Sequence, residues 1–220
     1  RVRRGILEQR VFLSTSWKTS ADVTNYINKS LFIFLLFSPI KVIAATDADC
    51  YKPSNVNTVG ATGTLCADKL IVDRSMLDEG KKGGKYYIEK GSKKYYFGKH
   101  NNRKLIFTGQ VTNMGSMFKN DNTFNKKIGY WDTSNVTTMQ NMFNGANAFN
   151  QDIKSWKTSK VKNMSAMFFN AKKFNQDLNS WETLKVTNMA FMFKNASNFN
   201  GAISNWNVSE VTNMKSMFEG

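Results

Sequence analysis

The sequence holds few of the residues that build catalytic or metal centres. Its 220 residues include two cysteines and a single histidine, His100. Structural zinc sites are four-coordinate and draw on cysteine and histidine, so this supply makes a poor metal set. The sequence also lacks a glycine-rich phosphate loop and a recurring pair of carboxylates at a spacing suited to acid–base chemistry. We therefore predict no enzyme activity and no cofactor.

A long hydrophobic run is also missing. The apolar run at 31–37 is too short to span a bilayer, and a proline and a lysine follow it closely. Lys29 precedes the run, and the small residues Ala44 and Ala45 come before a polar stretch, which is the order of a secretory signal. We predict cleavage near these alanines, a secreted or cell-surface protein, and no membrane span after cleavage. A short buried helix is the alternative interpretation.

The two cysteines, Cys50 and Cys66, lie just beyond the predicted cleavage point. They are close enough in sequence to close a loop, and an exported protein meets oxidising conditions. We favour a disulfide between them. Two free buried thiols, or pairing with a segment outside the sequence, remain the alternatives.

Charge of one sign dominates, with 31 Lys and Arg against 16 Asp and Glu and a formal net charge of +15. Most of the excess lies in the N-terminal half, where basic and aromatic residues alternate between 81 and 104. This basic-aromatic patch comprises Lys81, Lys82, Lys85, Tyr86, Lys93, Lys94, Tyr95, Lys99, Arg103 and Lys104. Such a patch can bind polyanions. We expect no nucleic acid, because the protein is exported, and a hairpin with one packed face and one solvated lysine face is the alternative.

One octet recurs throughout the second half of the chain. VTNMGSMF at 111–118 returns in close variants at 136, 161, 186 and 211, at a constant interval and without insertions. A fixed period of this length with apolar columns is typical of stacked coils in a solenoid. We divide the chain into an N-terminal extension and signal (1–45), a cap region (46–110) and a repeat solenoid (111–220). The solenoid has four full repeats and a truncated fifth, so we interpret the chain as a fragment of a longer protein.

The apolar positions within each unit change their spacing. Steps of three and four residues from Val136 to Phe149 predict a short helix, with Thr137 as its N-cap and Gln140 completing a capping box. Asparagines at the third octet position are expected to cap the other units. The stretch after Phe149 alternates and predicts a short strand or extended turn. The predicted fold is an α/β repeat solenoid, similar to leucine-rich repeats. Its predicted core comprises Val136, Met139, Met142, Phe143, Phe149, Ile153, Trp156, Val161, Met164, Met167, Phe168, Phe174, Leu178 and Trp181.

The cap region contains no repeat and predicts a small α+β fold. Leu70–Val72 is an apolar run typical of a strand, and a helix is expected to begin at Asp73 or Ser75. Two aromatic-rich runs, Tyr86–Ile88 and Tyr95–Phe97, flank a Lys-Gly-Ser turn and predict a β-hairpin. This cap would cover the first coil, whose apolar face would otherwise meet water.

Two positions that recur in every full repeat, a tryptophan and an asparagine, and two positions that vary between copies are candidates for surface roles. The tryptophan column suggests either sugar-stacking platforms or, as we favour, core packing. The asparagines at 125, 150, 175 and 200 favour an internal ladder that bonds the backbone of the adjacent coil. Positions that differ between copies are expected to form a binding face. That face comprises Gln140, Asn141, Ser165, Ala190, Phe191 and Lys215.

The unit at 136–160, VTTMQNMFNGANAFNQDIKSWKTSK, resembles the repeat of BspA-like leucine-rich-repeat surface proteins of bacteria. It is similar in particular to the mycoplasma-type repeat of unknown function, which has the same period. The resemblance implies an exported or cell-surface protein with adhesion or interaction roles, and it brings no catalytic residue with it. On this basis we expect a non-catalytic scaffold that binds protein or glycan partners. A structural spacer displaying a further C-terminal domain is the alternative.

Overall fold

The structure is a computed structural model that describes residues 50–51, 53–60, 69–98 and 104–220. Residues 1–49 lie outside this description. Cap and solenoid belong to one compact unit, Ala45–Gly220. The predicted signal therefore lies outside the described residues, as do Cys66, Lys99 and Arg103. Within the described part of the chain, no helix is long and apolar enough to cross a membrane.

In its described residues, the cap has a four-stranded sheet and one helix. Its elements are β1 (Leu70–Ile71), α1 (Arg74–Lys81), β2 (Tyr87–Lys90), β3 (Lys93–Tyr96) and β4 (Lys104–Phe107), with short 3-10 turns at Pro53–Asn55 and Lys82–Gly84. The strand order is β1-β4-β3-β2. β4 is parallel to both of its neighbours, whereas β2 and β3 form an antiparallel hairpin. The predicted strand, helix and hairpin are thus present, and α1 begins where the Asp73 carboxylate accepts the N–H of Met76 at 3.0 Å.

From Val111 onwards the chain forms a repeat solenoid in which each repeat unit is one coil. We number the coils from the octets, so that coil 1 is 111–135, coil 2 is 136–160, coil 3 is 161–185, coil 4 is 186–210 and coil 5 is 211–220. Neighbouring coils are joined by one parallel β-bridge at the third octet position. The bridges connect Asn113, Thr138, Asn163, Asn188 and Asn213 in sequence.

The predicted helix and strand in each coil are wrong. Between residues 108 and 220 the chain consists of turns and single bridges, with no helix, and the bridge lies inside the octet rather than after Phe149. Two residues per coil, four positions apart, have a positive φ, and a right-handed helix cannot pass through such a residue. They are Ser116, Asn141, Ala166, Phe191 and Ser216 at the sixth position, and Asn120, Gly145, Asn170, Asn195 and Gly220 at the tenth.

The left-handed residues create successive β-turns instead of a helix. In coil 2 the Met142 N–H donates to the Met139 carbonyl at 3.1 Å, and the Ala146 N–H donates to the Phe143 carbonyl at 2.9 Å. In both turns the third residue has a positive φ, as a type II turn requires. Such turns place every third or fourth side chain on one side, so their apolar spacing imitates that of a helix.

The N–H groups that form no hydrogen bond within a turn donate to carbonyls of the next coil. In coil 2 the N–H groups of Met139, Asn141, Phe143 and Gly145 donate to carbonyls of coil 3, at 2.7–3.0 Å. Coils 1, 3 and 4 repeat this pattern at the equivalent positions. The third octet residue caps a turn: the Asn163 side chain, for example, accepts the N–H of Ser165. Thr137, predicted as a helix cap, instead donates its hydroxyl to the Thr112 carbonyl of the preceding coil.

Aromatic columns fill the space between the coils. Phe143 stacks at 5.6 Å between centroids on Phe118 before it and on Phe168 after it, and at 3.9 Å on Phe149 in its own coil. Every residue predicted for the repeat core is buried. The tryptophans of the first three coils are buried too. The indole N–H of Trp131 donates to a backbone carbonyl of the cap, and those of Trp156 and Trp181 donate to backbone carbonyls of the preceding coil. These three tryptophans therefore belong to the core, and Trp206 of coil 4 is half-buried and stacks on Trp181.

The cap helix α1 takes the place of a preceding coil. Arg74 Nη1 donates to the Asn113 carbonyl at 3.1 Å and to the Gly115 carbonyl at 2.8 Å, and Lys81 Nζ donates to the Met117 carbonyl. The equivalent carbonyls of coil 2 accept N–H groups from coil 1. Arg74 and Lys81 thus satisfy three of the four acceptors that coil 1 would otherwise leave open, which explains how the stack can begin at this point.

Two carboxylates fasten other parts of the cap to the solenoid. The Tyr86 hydroxyl donates to Asp121, and burial together with this hydrogen bond raises the pKa of Tyr86 to about 12. The Tyr51 hydroxyl donates to Asp132 at 2.6 Å. Burial by itself would raise the pKa of Asp132, but hydrogen bonds from Tyr51 and Ser134 outweigh it, so this pKa lies below its usual value. Both contacts are structural.

Replacing Ala166 with glycine is expected to stabilise the solenoid. Ala166 has a φ of 51°, and glycine alone adopts this conformation without a steric penalty. The relief of strain should exceed the extra entropy of the unfolded glycine, raising the free energy of unfolding by roughly 0.5–1 kcal/mol. Urea denaturation followed by tryptophan fluorescence measures the change. Ala148→Gly is the matched control, because Ala148 is not among the residues with positive φ, and it should destabilise. Destabilisation by both substitutions would contradict the expected strain.

Candidate binding surface

The predicted binding face is only partly exposed. Gln140 and Lys215 are exposed, and Asn141 and Phe191 are half-buried. Ser165 and Ala190 are buried, with 7% and 4% of their surface accessible, so their assignment to an exposed face is wrong. They follow the β-bridge by two residues, where neighbouring coils lie closest together, and their short side chains do not reach beyond the adjacent coils. Only the longer glutamine and lysine in this column reach solvent.

Phe191 forms a small patch with two lysines. The Lys194 and Lys215 ammonium groups lie 5.7 and 5.9 Å from the centroid of its ring. Cations at this distance are attracted to the face of an aromatic ring. Lys194 also pairs with Glu219. The ring is therefore partly covered by side chains of its own chain.

The basic-aromatic patch does not form one surface. Lys82, Lys85, Lys93 and Lys94 are exposed, but Tyr86 and Tyr95 are buried at 8% and 3% exposure and belong to the core. Lys81 is half-buried against coil 1. The side chains of Lys99, Arg103 and Lys104 lie outside the described residues. Tyr86 and Tyr95 face inwards, so the exposed members of the patch are lysines, as in the alternative of one packed and one solvated face. Tyr87 and Tyr96, elsewhere in the hairpin, are half-buried and pack against each other.

The asparagine column after the second phenylalanine forms the expected ladder, but on an exposed edge. The Asn125 side-chain oxygen accepts the N–H of Asn150 at 3.1 Å, and the same bond joins Asn150 to Asn175 and Asn175 to Asn200. These side chains thus bind the backbone of the adjacent coil and contribute to stacking. They are solvent-exposed, whereas the prediction placed them inside.

Sequence reasoning missed a buried column of threonines. The hydroxyls of Thr108, Thr133, Thr158 and Thr183 each donate to a backbone carbonyl one coil further along the chain, at 2.8–3.0 Å. All four side chains are buried. The available signal was their recurrence three positions before each of the first four octets, with Val208 in the equivalent place before the fifth. The column binds successive coils together and has no ligand-facing role.

Sequence reasoning also missed a polar cleft of about 390 Å³ on the solenoid surface. It spans three coils and uses two registers, the tenth and twelfth positions of each unit. Its lining residues are Asn120, Asn122, Gly145, Asn147, Asn170 and Lys172. The sequence signal for this cleft was Gly145, because coils 1, 3 and 4 carry asparagine at the same tenth position. We call this the asparagine cleft.

The Cys50 sulfur belongs to a disulfide bond, and the residue is fully buried. Its predicted partner Cys66 lies outside the described residues, so the pairing stays a prediction. Within the described ranges, no group of three or more His, Cys, Asp and Glu side chains is arranged to hold a metal ion.

Comparison with known proteins places the repeats in a family. No curated protein and no solved structure matches the chain significantly. A family model described as "Mycoplasma protein of unknown function, DUF285" matches residues 97–188 and 178–220, which together make up more than half of the chain. The matched region contains all five octets and begins at the end of the cap hairpin. The chain therefore belongs to the DUF285 family of mycoplasma proteins of unknown function.

Proposed function

We propose that this protein is an exported or cell-surface repeat protein whose solenoid is a non-catalytic scaffold for binding protein or glycan partners. One observation carries the proposal: the buried columns barely change between coils, whereas accessible registers change in chemical character. The ninth register is an example, with a cation, an amide, an aromatic ring and a cation at Lys119, Asn144, Phe169 and Lys194. A stack that serves only as a support does not need this variety.

Features outside the solenoid support export. The order of basic, apolar and small residues between 29 and 45 is that of a secretory signal. A disulfide at Cys50 suits an oxidising compartment. We further propose that the repeat is related to that of BspA-like leucine-rich-repeat surface proteins, on the strength of the octet, the Phe-Asn pair and the tryptophan in fixed register. Leucine-rich-repeat solenoids use their extended surfaces for binding.

The alternative function is a structural spacer that displays a further C-terminal domain. The exposed asparagine ladder favours it, because a ladder of this kind adds stiffness and needs no partner. A spacer and a scaffold differ in one measurable respect: only the scaffold binds through the repeats themselves.

A binding screen separates the two functions. The purified chain is immobilised and exposed to extracellular matrix proteins and to a glycan array, with heat-unfolded protein as the control. The scaffold predicts saturable binding that disappears on unfolding. The absence of any such binding across the panel would favour the spacer.

A further inference from the structure

The asparagine cleft owes its existence to a gap in one column. In coils 3 and 4 the tenth register holds Asn170 and Asn195, and the Asn195 amide donates to the Asn170 side-chain oxygen at 3.0 Å. Coil 2 has Gly145 there, with a φ of 73°. A side chain at this position would begin 2.8 Å from the Asn120 side-chain oxygen and would occupy the cleft. Glycine in coil 2 thus interrupts the column and opens a space between Asn120 and Asn170.

The groups around this space are suited to sugar hydroxyls. Four carboxamides, those of Asn120, Asn122, Asn147 and Asn170, line the cleft, and each carries both donors and an acceptor. The Asn147 side-chain oxygen is buried and has no hydrogen-bond partner in the described structure. Buried acceptors are rarely left without a donor. Because this oxygen has almost no accessible surface, the Asn147 carboxamide would have to rotate towards the cleft to accept a ligand hydroxyl.

The positive charge of Lys172 favours a ligand that carries a negative group. Lys172 is the one charged residue among those that line it, and its ammonium group forms no ion pair with the described residues. The lining contains no aromatic or large aliphatic side chain, whereas the centres of protein interfaces are enriched in such anchors. These features favour a hydroxyl-rich anionic ligand over a protein surface.

We propose that the asparagine cleft binds an acidic sugar, with the carboxamides hydrogen-bonded to its hydroxyls and Lys172 paired with its carboxylate. This inference rests on the proposed scaffold function and deepens it, since it assigns the glycan to one site. The cleft volume of about 390 Å³ lies within the range of small-molecule sites.

Glucuronate and glucose are suitable probes, because they share hydroxyls and differ in the carboxylate. Titration of the full chain with each sugar, followed by NMR, should show tighter binding of glucuronate. Gly145→Asn restores the asparagine present in neighbouring coils, which tolerates a positive φ, and should abolish binding of both sugars. Lys172→Gln should weaken glucuronate binding about tenfold and leave glucose unchanged, because it removes one charge-assisted hydrogen bond.

Lys173→Gln is the matched control, since Lys173 is the exposed neighbour of Lys172 and does not line the cleft. It should bind both sugars as the original chain does, and tryptophan fluorescence should show that all variants are folded. Glucuronate binding that both Gly145→Asn and Lys172→Gln leave unchanged would overturn the assignment of the cleft, and so would a failure of the original chain to bind glucuronate. In either case, a partner found in the binding screen would leave the scaffold function standing, so the two failures are distinguishable.

Discussion

Replacing Met142 with aspartate is expected to unfold the solenoid. Met142 is completely buried in the methionine column of coil 2, and the surrounding core residues are apolar. A carboxylate placed there would lose its hydration without gaining a cation, at a cost of several kcal/mol. Small domains are stable by only about 5–15 kcal/mol in total, so this loss removes most of the available stability. A red shift of tryptophan fluorescence and the loss of near-UV circular dichroism would report the unfolding.

Gln140→Asp provides the matched control, because Gln140 lies two residues away in the same coil and is exposed. It introduces the same carboxylate and should change the free energy of unfolding by less than about 0.5 kcal/mol. If Met142→Asp melted within a degree or two of the original protein, Met142 could not lie in the core of a stacked coil.

Truncation of Phe143 to alanine should have the second largest effect. Its ring contacts Phe118, Phe149 and Phe168 and is completely buried, so truncation would leave a cavity flanked by three aromatic rings. Substitutions of this kind cost about 3–5 kcal/mol. Urea denaturation should therefore show a markedly lower midpoint. The cost should fall on all coils together, because the stability of a stack depends on the interfaces between its neighbours.

Phe218→Ala tests whether position in the stack, and not residue type, determines this cost. Phe218 occupies the same column in coil 5 and stacks on Phe193 at 5.6 Å, but it is 56% exposed. Its truncation should cost about 1 kcal/mol or less, the range of a single aromatic pair. Equal losses for Phe143→Ala and Phe218→Ala would argue against a continuous phenylalanine column.

The architecture was predictable from the sequence because it depends on period alone. Any chain that repeats Val136, Met139, Met142 and Phe143 at one fixed interval must bury each set against the next copy. The cap elements were predictable for a different reason. Asp73 before α1, and the aromatic runs around a glycine turn in the hairpin, are local signals whose effect does not depend on the rest of the fold.

The conformation within each coil was not predictable in the same way. Apolar residues three and four apart are expected of a helix, but successive turns with positive φ produce the same spacing. Gly145 and the asparagines of its register are compatible with positive φ, whereas Ala166 and Phe191 are not residues that sequence reasoning would place there. Hydrogen bonds to the next coil impose a positive φ on Ala166 and Phe191. These bonds form only when the coils are stacked, so the sequence of a single unit does not indicate them.

The candidate site was the least predictable part. Variation between copies drew attention to two registers of the octet, but it could not separate accessible positions such as Gln140 from covered ones such as Ser165. The asparagine cleft depends on Gly145, a residue whose importance comes from the side chain it lacks. Recognising it required the neighbouring coils to be placed beside it.

Amide hydrogen exchange tests the central claim, that coils are joined by hydrogen bonds from one unit to the next. In the polypeptide of residues 1–220, the N–H groups of Asn141 and Phe143 donate to coil 3, whereas their equivalents in coil 5, Ser216 and Phe218, have no acceptor in the described structure. NMR exchange rates should therefore show strong protection for the first pair and rapid exchange for the second. A helix within each unit would satisfy its own N–H groups and protect both pairs alike. Equal protection of the two pairs would contradict the stacked-turn solenoid.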